Sequence, residues 1–327
     1  MEANWCDRID KYRALCTQES SIPLFSQAWW LDATAGEGNW DVALVHKGDI
    51  IVAAMPYVQR KRYGLLLLGQ PALTQSLGPW LRETTGKSAT QLAQQKDWLQ
   101  ALIAQLPPFA QYTQNWHWQM GNWLPFYWAG FKQTTRYTYI LDALNDEQLL
   151  WQGLQENIRR EIKKASDRFK LRVREDLALE DFLVLNRMTF ARQDMALPYN
   201  ESFVRRLDQA CATRQARKIF IAEDEQGNRH AGAYIVWDGN SAYYLMGGGD
   251  PKLRNSGATS LCMWEAIKFA ATVTQRFDFE GSMLEPVERF FRAFGAQQTP
   301  YFTVSKTPSR ALKIVHVLRE LKRDWNK

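Results

Sequence analysis

Asp278 and Glu280 stand two residues apart in a short stretch, 277–280, whose residue types predict a strand. Alternation along a strand predicts that both carboxylates point to one face, at the strand's carboxyl end. That end of an open α/β sheet is where ligands bind. A carboxylate pair there can take a proton from an attacking ammonium or hold an amine in line for attack. It can equally serve structure, by capping a helix that begins near 283. Gly281 breaks the strand, and Ser282 either caps that helix or donates a hydrogen bond. The helix expected over 285–294 is stopped by Gly295, and 301–304 returns as a second strand. Arg289 and Arg292 lie three apart on it, share a face, and can grip a carboxylate or a phosphate.

Other polar groups surround this centre. Eight basic residues fall between Arg159 and Arg174, opposed only by Glu161 and Asp167. Arg160, Lys163 and Lys164 share a helical face with Asp167, which predicts a concentrated positive patch. Such a patch is either a solvated face or a contact for polyphosphate or tRNA backbone. Arg192, Gln193 and Tyr199 belong to a polar loop after a helix and are candidates for substrate contact. Tyr243 and Tyr244 alternate faces, so only one lines a pocket, and we take Tyr244 as that one.

The elements that position these residues occur twice. Residues 126–137 align without a gap on 290–301, at a constant offset of 164, with identities at Phe126/Phe290, Ala129/Ala293, Gln133/Gln297, Thr135/Thr299 and Tyr137/Tyr301. At the same offset Asp278, Glu280 and Arg292 face Gln114, Trp116 and Trp128. One copy carries charges where the other carries an amide and indoles, so any chemistry belongs to the C-terminal copy. Each half reads as helices, a β-meander, a long helix, a strand, a helix and a last strand. The expected division is 1–145 and 146–327. In the first half a long loop, 71–86, stands before an amphipathic helix over 88–106, and Trp80, Trp98, Trp116, Trp118, Trp123 and Trp128 are core or line an acceptor groove.

The 327 residues are 46% hydrophobic and carry a formal charge of +6; with a pI near 9.1, this favours anionic partners. No apolar run approaches the ~18 residues of a membrane span. The opening MEANWCDRIDKY lacks the pattern of a signal peptide, so a cytoplasmic protein is expected. Its four cysteines form no CxxC and its four histidines lie in separate elements, which gives no metal-ligand spacing. HExxH, Walker A and GxSxG motifs are absent. A C-terminal helix over 309–325 places Ile314, Val317, Leu318, Leu321 and Trp325 on one side and basic residues on the other; it docks on the core or lies on an anionic membrane.

This order resembles two tandem GNAT acyltransferase folds, the architecture of the FemABX aminoacyl-transferase group. Three segments carry the resemblance. Glu156–Ala165 is similar to the family's basic helix with its Lys-Ala pair. Asp278-Phe279-Glu280-Gly281-Ser282 is similar to its Asp-x-x-Gly-Ser strand end. Phe291-Arg292-Ala293-Phe294-Gly295 is similar to its helix end. The resemblance implies an α/β (α+β) fold with two mixed, mostly antiparallel sheets flanked by helices. The N-terminal copy would be degenerate and on the acceptor side, the C-terminal copy on the donor side. It implies transfer of an acyl or aminoacyl group onto an amine of a small or envelope-linked acceptor. The donor would be acyl-CoA or aminoacyl-tRNA, with no tightly bound cofactor. In the acyl-CoA users a [QR]-x-x-G-x-[GA] loop holds the pyrophosphate at a helix N-terminus. Arg254, Gly257 and Ala258 stand in that loop here, with Thr259 at its last position, and the FemABX version is likewise degraded. Lys306, at the end of the final strand, matches a family Lys near the tetrahedral intermediate. The expected partners are an anionic, lipid- or nucleotide-linked acceptor, with tRNA and a peripheral membrane contact as further possibilities. A classical acyl-CoA N-acyltransferase, a non-catalytic binding protein on this scaffold and an RNA-binding protein are the alternatives.

Overall fold

A computed structural model describes residues 2–192, 195–315 and 318. Gln193 lies outside the described residues, as do 316, 317 and 319–327 of the expected C-terminal helix, whose residues 310–315 are helical. Two compact units emerge, one of residues 1–136 with 300–327, the other of residues 137–299. They do not follow one cut at 145/146. The divisions fall inside two strands, β6 (Lys132–Leu141) and β12 (Gln297–Lys306).

In the first unit, β1 (Trp40–Lys47), β2 (Ile50–Arg62) and β3 (Leu65–Gly69) form an antiparallel meander, with the short β4 (Trp80–Leu81) on β2. β5 (Gln111–Asn115) runs parallel to β3 and antiparallel to β12. α1 (Glu2–Gln18) and α2 (Ala28–Ala35) cover one face around Tyr12, Trp40 and Leu77. α3 (Ser88–Ala104) and α4 (Leu124–Trp128) cover the other around Leu99, Tyr112, Trp116 and Phe126. Trp116 is fully buried and Trp80 nearly so, as the aromatic content of this half suggested, whereas Trp128 is 57% exposed.

In the second unit, α5 (Glu147–Gly153) and α6 (Glu156–Lys163) precede a five-residue π-helical turn, Lys164–Arg168. Then come β7 (Arg172–Arg174), α7 (Leu179–Arg192) and α8 (Glu201–Thr213). β8 (Arg217–Glu223), β9 (Arg229–Trp237) and β10 (Ala242–Gly249) repeat the meander, with β7 beside β8. α9 (Ala258–Ala270) leads to β11 (Phe277–Asp278), which runs parallel to β10 and antiparallel to β6. α10 (Glu285–Arg292) precedes β12. In α6 the buried side chains are Ile158 and Ile162, four apart, so one stripe meets the core and the basic residues turn outward.

The pairings carry the duplication down to register. Thr113 pairs with Ser305 and Gln114 with Val304. Phe277 pairs with Leu141 and Asp278 with Ile140. Thr113 lies 164 positions before Phe277, and Leu141 lies 164 before Ser305. Each unit is therefore completed by the last strand of the other half, in the same register. Among the described residues no helix is long and apolar enough to cross a membrane.

Candidate active site

Phe277 and Phe279 anchor the end of β11, their rings 5.0 Å apart in the core of the second unit. Asp278, between them, is 3% exposed. Thr138 of β6 donates its hydroxyl to Asp278 Oδ1, and the Glu280 amide donates to the same oxygen at 2.7 Å. Burial pushes the Asp278 carboxyl up from 3.8 to about 6, against the opposing effect of these two bonds. Glu280 is driven well above the ordinary glutamate value, first by burial and then by the negative charge of Asp278.

The two carboxylates do not meet by strand alternation, as the sequence suggested. β11 ends at Asp278, and Glu280 takes a left-handed backbone (φ 59°). The Asp278 side chain closes this turn by accepting the Glu280 N–H, which brings the acids together by a local loop. A non-glycine residue held there costs roughly 1 kcal/mol or more, and such strain clusters at functional sites.

α10 follows. Ser282 Oγ accepts from the Leu284 amide at 3.0 Å, so it fixes the lead-in to the helix. Arg292 Nε donates to Glu288 Oε1 at 2.9 Å, Tyr139 Oη donates to the same oxygen at 2.6 Å, and Gln298 Nε2 donates to Tyr139 Oη at 2.6 Å. The first two bonds hold the Glu288 carboxyl below its usual range. Arg292 is thus tied into the scaffold, while both it and Arg289 remain exposed. Thr138, Tyr139, Glu288 and Gln298 went unnoticed in the sequence. Thr138 and Asp278 are 140 residues apart, and no local pattern links them.

On β10, Tyr243 is buried, and Tyr244 is half-buried with its ring 5.9 Å from Phe291. Tyr199 donates to Asn186 Oδ1 at 3.1 Å, and Asn186 Nδ2 donates to the Gly247 carbonyl at 2.7 Å. Gly247–Gly249 belong to the strand. A Cβ at Gly248 would stand 2.5 Å from the Asn186 nitrogen, so this glycine lets the backbone of α7 lie directly on β10. Asn186, 2% exposed, is the polar hinge of that contact and had no motif to announce it. Arg192, at the end of α7, is exposed.

The candidates for donor phosphate converge. Gly257 caps α9 with φ 81°, and a Cβ there would come within 2.2 Å of the Glu161 carbonyl. The loop carrying Arg254, Gly257 and Ala258 is therefore pressed against α6, which carries Arg160, Lys163 and Lys164. Lys164 pairs with Glu161 at 2.5 Å, while Arg160, Lys163 and Arg254 are exposed. Lys306 belongs to the first unit, where its Nζ donates to the Ala129 carbonyl at 2.6 Å and lies 5.0 Å from the centre of the Phe131 ring.

A family model described as Acetyltransferase (GNAT) domain matches residues 153–313. Those residues match the GNAT acetyltransferase domain, which supports an acyltransferase of that fold. Domains of this family use acyl-CoA as co-substrate. Among solved structures, FemX aligns with a TM-score of 0.68 at 12% identity, over 94% of this chain and 98% of that one. The C-terminal domain of a putative lysylphosphatidylglycerol synthetase from Agrobacterium fabrum aligns with a TM-score of 0.56 at 11% identity, over 96% and 97%. A tandem GNAT protein from the clavulanic acid biosynthesis pathway aligns with a TM-score of 0.52 at 12% identity, over 93% and 95%. These likenesses concern the fold. No curated protein matches the sequence.

Proposed function

We propose that the chain transfers an aminoacyl group from tRNA onto an amine of a cell-envelope precursor, with the chemistry at Asp278 and Glu280. The observation that carries this reading is the buried carboxylate pair at the end of β11, where Asp278 accepts from Thr138 and from the Glu280 amide and burial raises both carboxyls. Burial favours the proton on both, and Glu280 feels the Asp278 charge besides, a coupling through which like groups divide acid and base roles. Asp278 takes the proton of the attacking ammonium. The amine nitrogen bonds to the ester carbonyl carbon, and the bond from that carbon to the ribose oxygen breaks. Glu280 supplies the proton to the departing oxygen and takes up the second proton that the nitrogen loses as the amide forms, so one proton is released overall.

Arg160, Lys163 and Arg254 face donor phosphates, and Arg289 faces an anionic group of the acceptor. The unit of residues 137–299 acts on the donor and that of 1–136 with 300–327 on the acceptor, in a protein working at the cytoplasmic side of the envelope. FemX and the lysylphosphatidylglycerol synthetase support aminoacyl transfer by their names and folds. The alternative donor, an acyl-CoA, is favoured by the family match. It would set the same two carboxyls against a thioester, with a thiol leaving.

Single-turnover transfer from charged tRNA or acyl-CoA, with wild type, Asp278→Asn and Glu280→Gln, tests the reading. The expected result is turnover with charged tRNA and a loss of at least about 100-fold in either variant. Equal rates in all three proteins would remove the pair from the chemistry, and turnover with acyl-CoA alone would replace the donor.

A further inference from the structure

The first unit holds a cavity of about 470 Å³, within the roughly 300–1,000 Å³ of small-molecule sites. It opens beyond the carboxyl end of β5 and beside the first turns of α3, the position that the 164-residue repeat relates to the end of β11. The first unit has closed the strand edge there with its own chain. The Leu77 amide donates to the Asn115 carbonyl at 2.7 Å, and Leu77 bridges to Trp116 in parallel. Gly78 lies so close to the Trp116 indole that a Cβ would stand 2.4 Å from it. An extended ligand that pairs with that strand edge has no place to lie, and what remains is a half-open cavity.

Its lining is polar but balanced in charge. Arg82 Nη1 is bonded to Glu19 at 2.8 Å and its Nε to the Ile51 carbonyl at 3.1 Å, and Glu83 adds an opposing charge. The directional groups are amides. Gln91 Nε2 donates to the Thr84 carbonyl at 2.7 Å, and Asn122 Nδ2 donates to Gln95 Oε1 at 3.1 Å. These bonds orient the side chains and use one end of each. The Gln91 and Asn122 carbonyls remain as acceptors and the Gln95 N–H groups as donors. Leu77, Pro79, Trp80 and Met120 supply an apolar wall. Paired amide donors and acceptors facing an apolar wall, without net charge, suit a ring that carries hydroxyl or acetamido groups on its rim and C–H bonds on its face.

We propose that this cavity binds an uncharged sugar ring. The inference concerns a site separate from Asp278 and Glu280 and does not require the transfer reaction. Saturation-transfer NMR on the full chain tests it, with N-acetylglucosamine and glucose as probes and inorganic phosphate as competitor. Wild type should transfer saturation to the sugars, unaffected by phosphate, and hydrogen exchange should slow in 80–84 and 117–122. Gly121 lines the cavity, its Cβ position meets nothing within 4 Å, and its backbone is outside the left-handed region. Gly121→Trp should therefore fold as wild type and abolish the signal. Gln95→Leu with Asn122→Leu should weaken binding by about tenfold or more. Asp278→Asn should bind the sugar as wild type does, which separates this site from the proposed chemistry. No transfer to either sugar, competition by phosphate, or a signal that survives in a folded Gly121→Trp protein would overturn the proposal.

Discussion

Replacing Asp278 by Asn should make the protein more stable and less active, and the gain should depend on pH. The carboxyl is 3% exposed, and burial lifts it from 3.8 to about 6. The native state therefore holds its proton through a pH range in which the unfolded chain has released it. Below about pH 4 both states are protonated and the group imposes no penalty. As pH rises from 4 to 6 native stability falls, and above 6 the full penalty stands, about 3 kcal/mol. Asparagine keeps the oxygen that accepts from Thr138 and from the Glu280 amide, and it carries no charge. Urea denaturation of both proteins at pH 4, 5, 6 and 7.5 would follow the difference. We expect near equality at pH 4 and a gain for Asp278→Asn at pH 7.5 of up to about 3 kcal/mol. Equal stability at every pH, or a less stable variant at pH 7.5, would show that the native fold accommodates the charged carboxylate, and the proton assignment above would fail.

On its acid limb the rate of transfer should rise with pH near 6 as Asp278 becomes a carboxylate, and it should fall again where Glu280 loses its proton. Thr138→Val removes a bond to the charged form and should move that midpoint upward in a pH–rate profile; a midpoint that stays or falls counts against the contact's role. Gly248→Ala forces a Cβ to 2.5 Å from the Asn186 nitrogen and should cost about 1–3 kcal/mol by thermal denaturation; an unchanged melting temperature would mean that α7 lies farther off. Arg160→Glu with Lys163→Glu should weaken tRNA binding and flatten its salt dependence by a slope of about 1–2, leaving the melting temperature close to wild type because both side chains are exposed. An unaltered slope would leave α6 a solvated face.

The amino-acid order by itself determined the duplication, the succession of elements in each half and the asymmetry of charge between the copies. These are local or periodic properties: the Ile158/Ile162 stripe, the Gly stop at 295, the 164-residue offset. The stretch 277–282 likewise announced its acids. Tertiary structure decided where each last strand goes. β6 and β12 read as ordinary closing strands, yet each completes the sheet of the opposite half, because pairing register depends on backbone edges that lie far apart in the chain. It also decided the state of the acids. Alternation placed Asp278 and Glu280 on one strand face, whereas the turn made by Asp278's own side chain brings them together, and a threonine 140 residues earlier completes the contact. Nothing in the sequence marks Gly248, and only the approach of α7 shows that it is room for a backbone. A residue type records what a side chain can do, but its surroundings, and with them its proton affinity, are assembled from segments remote in sequence.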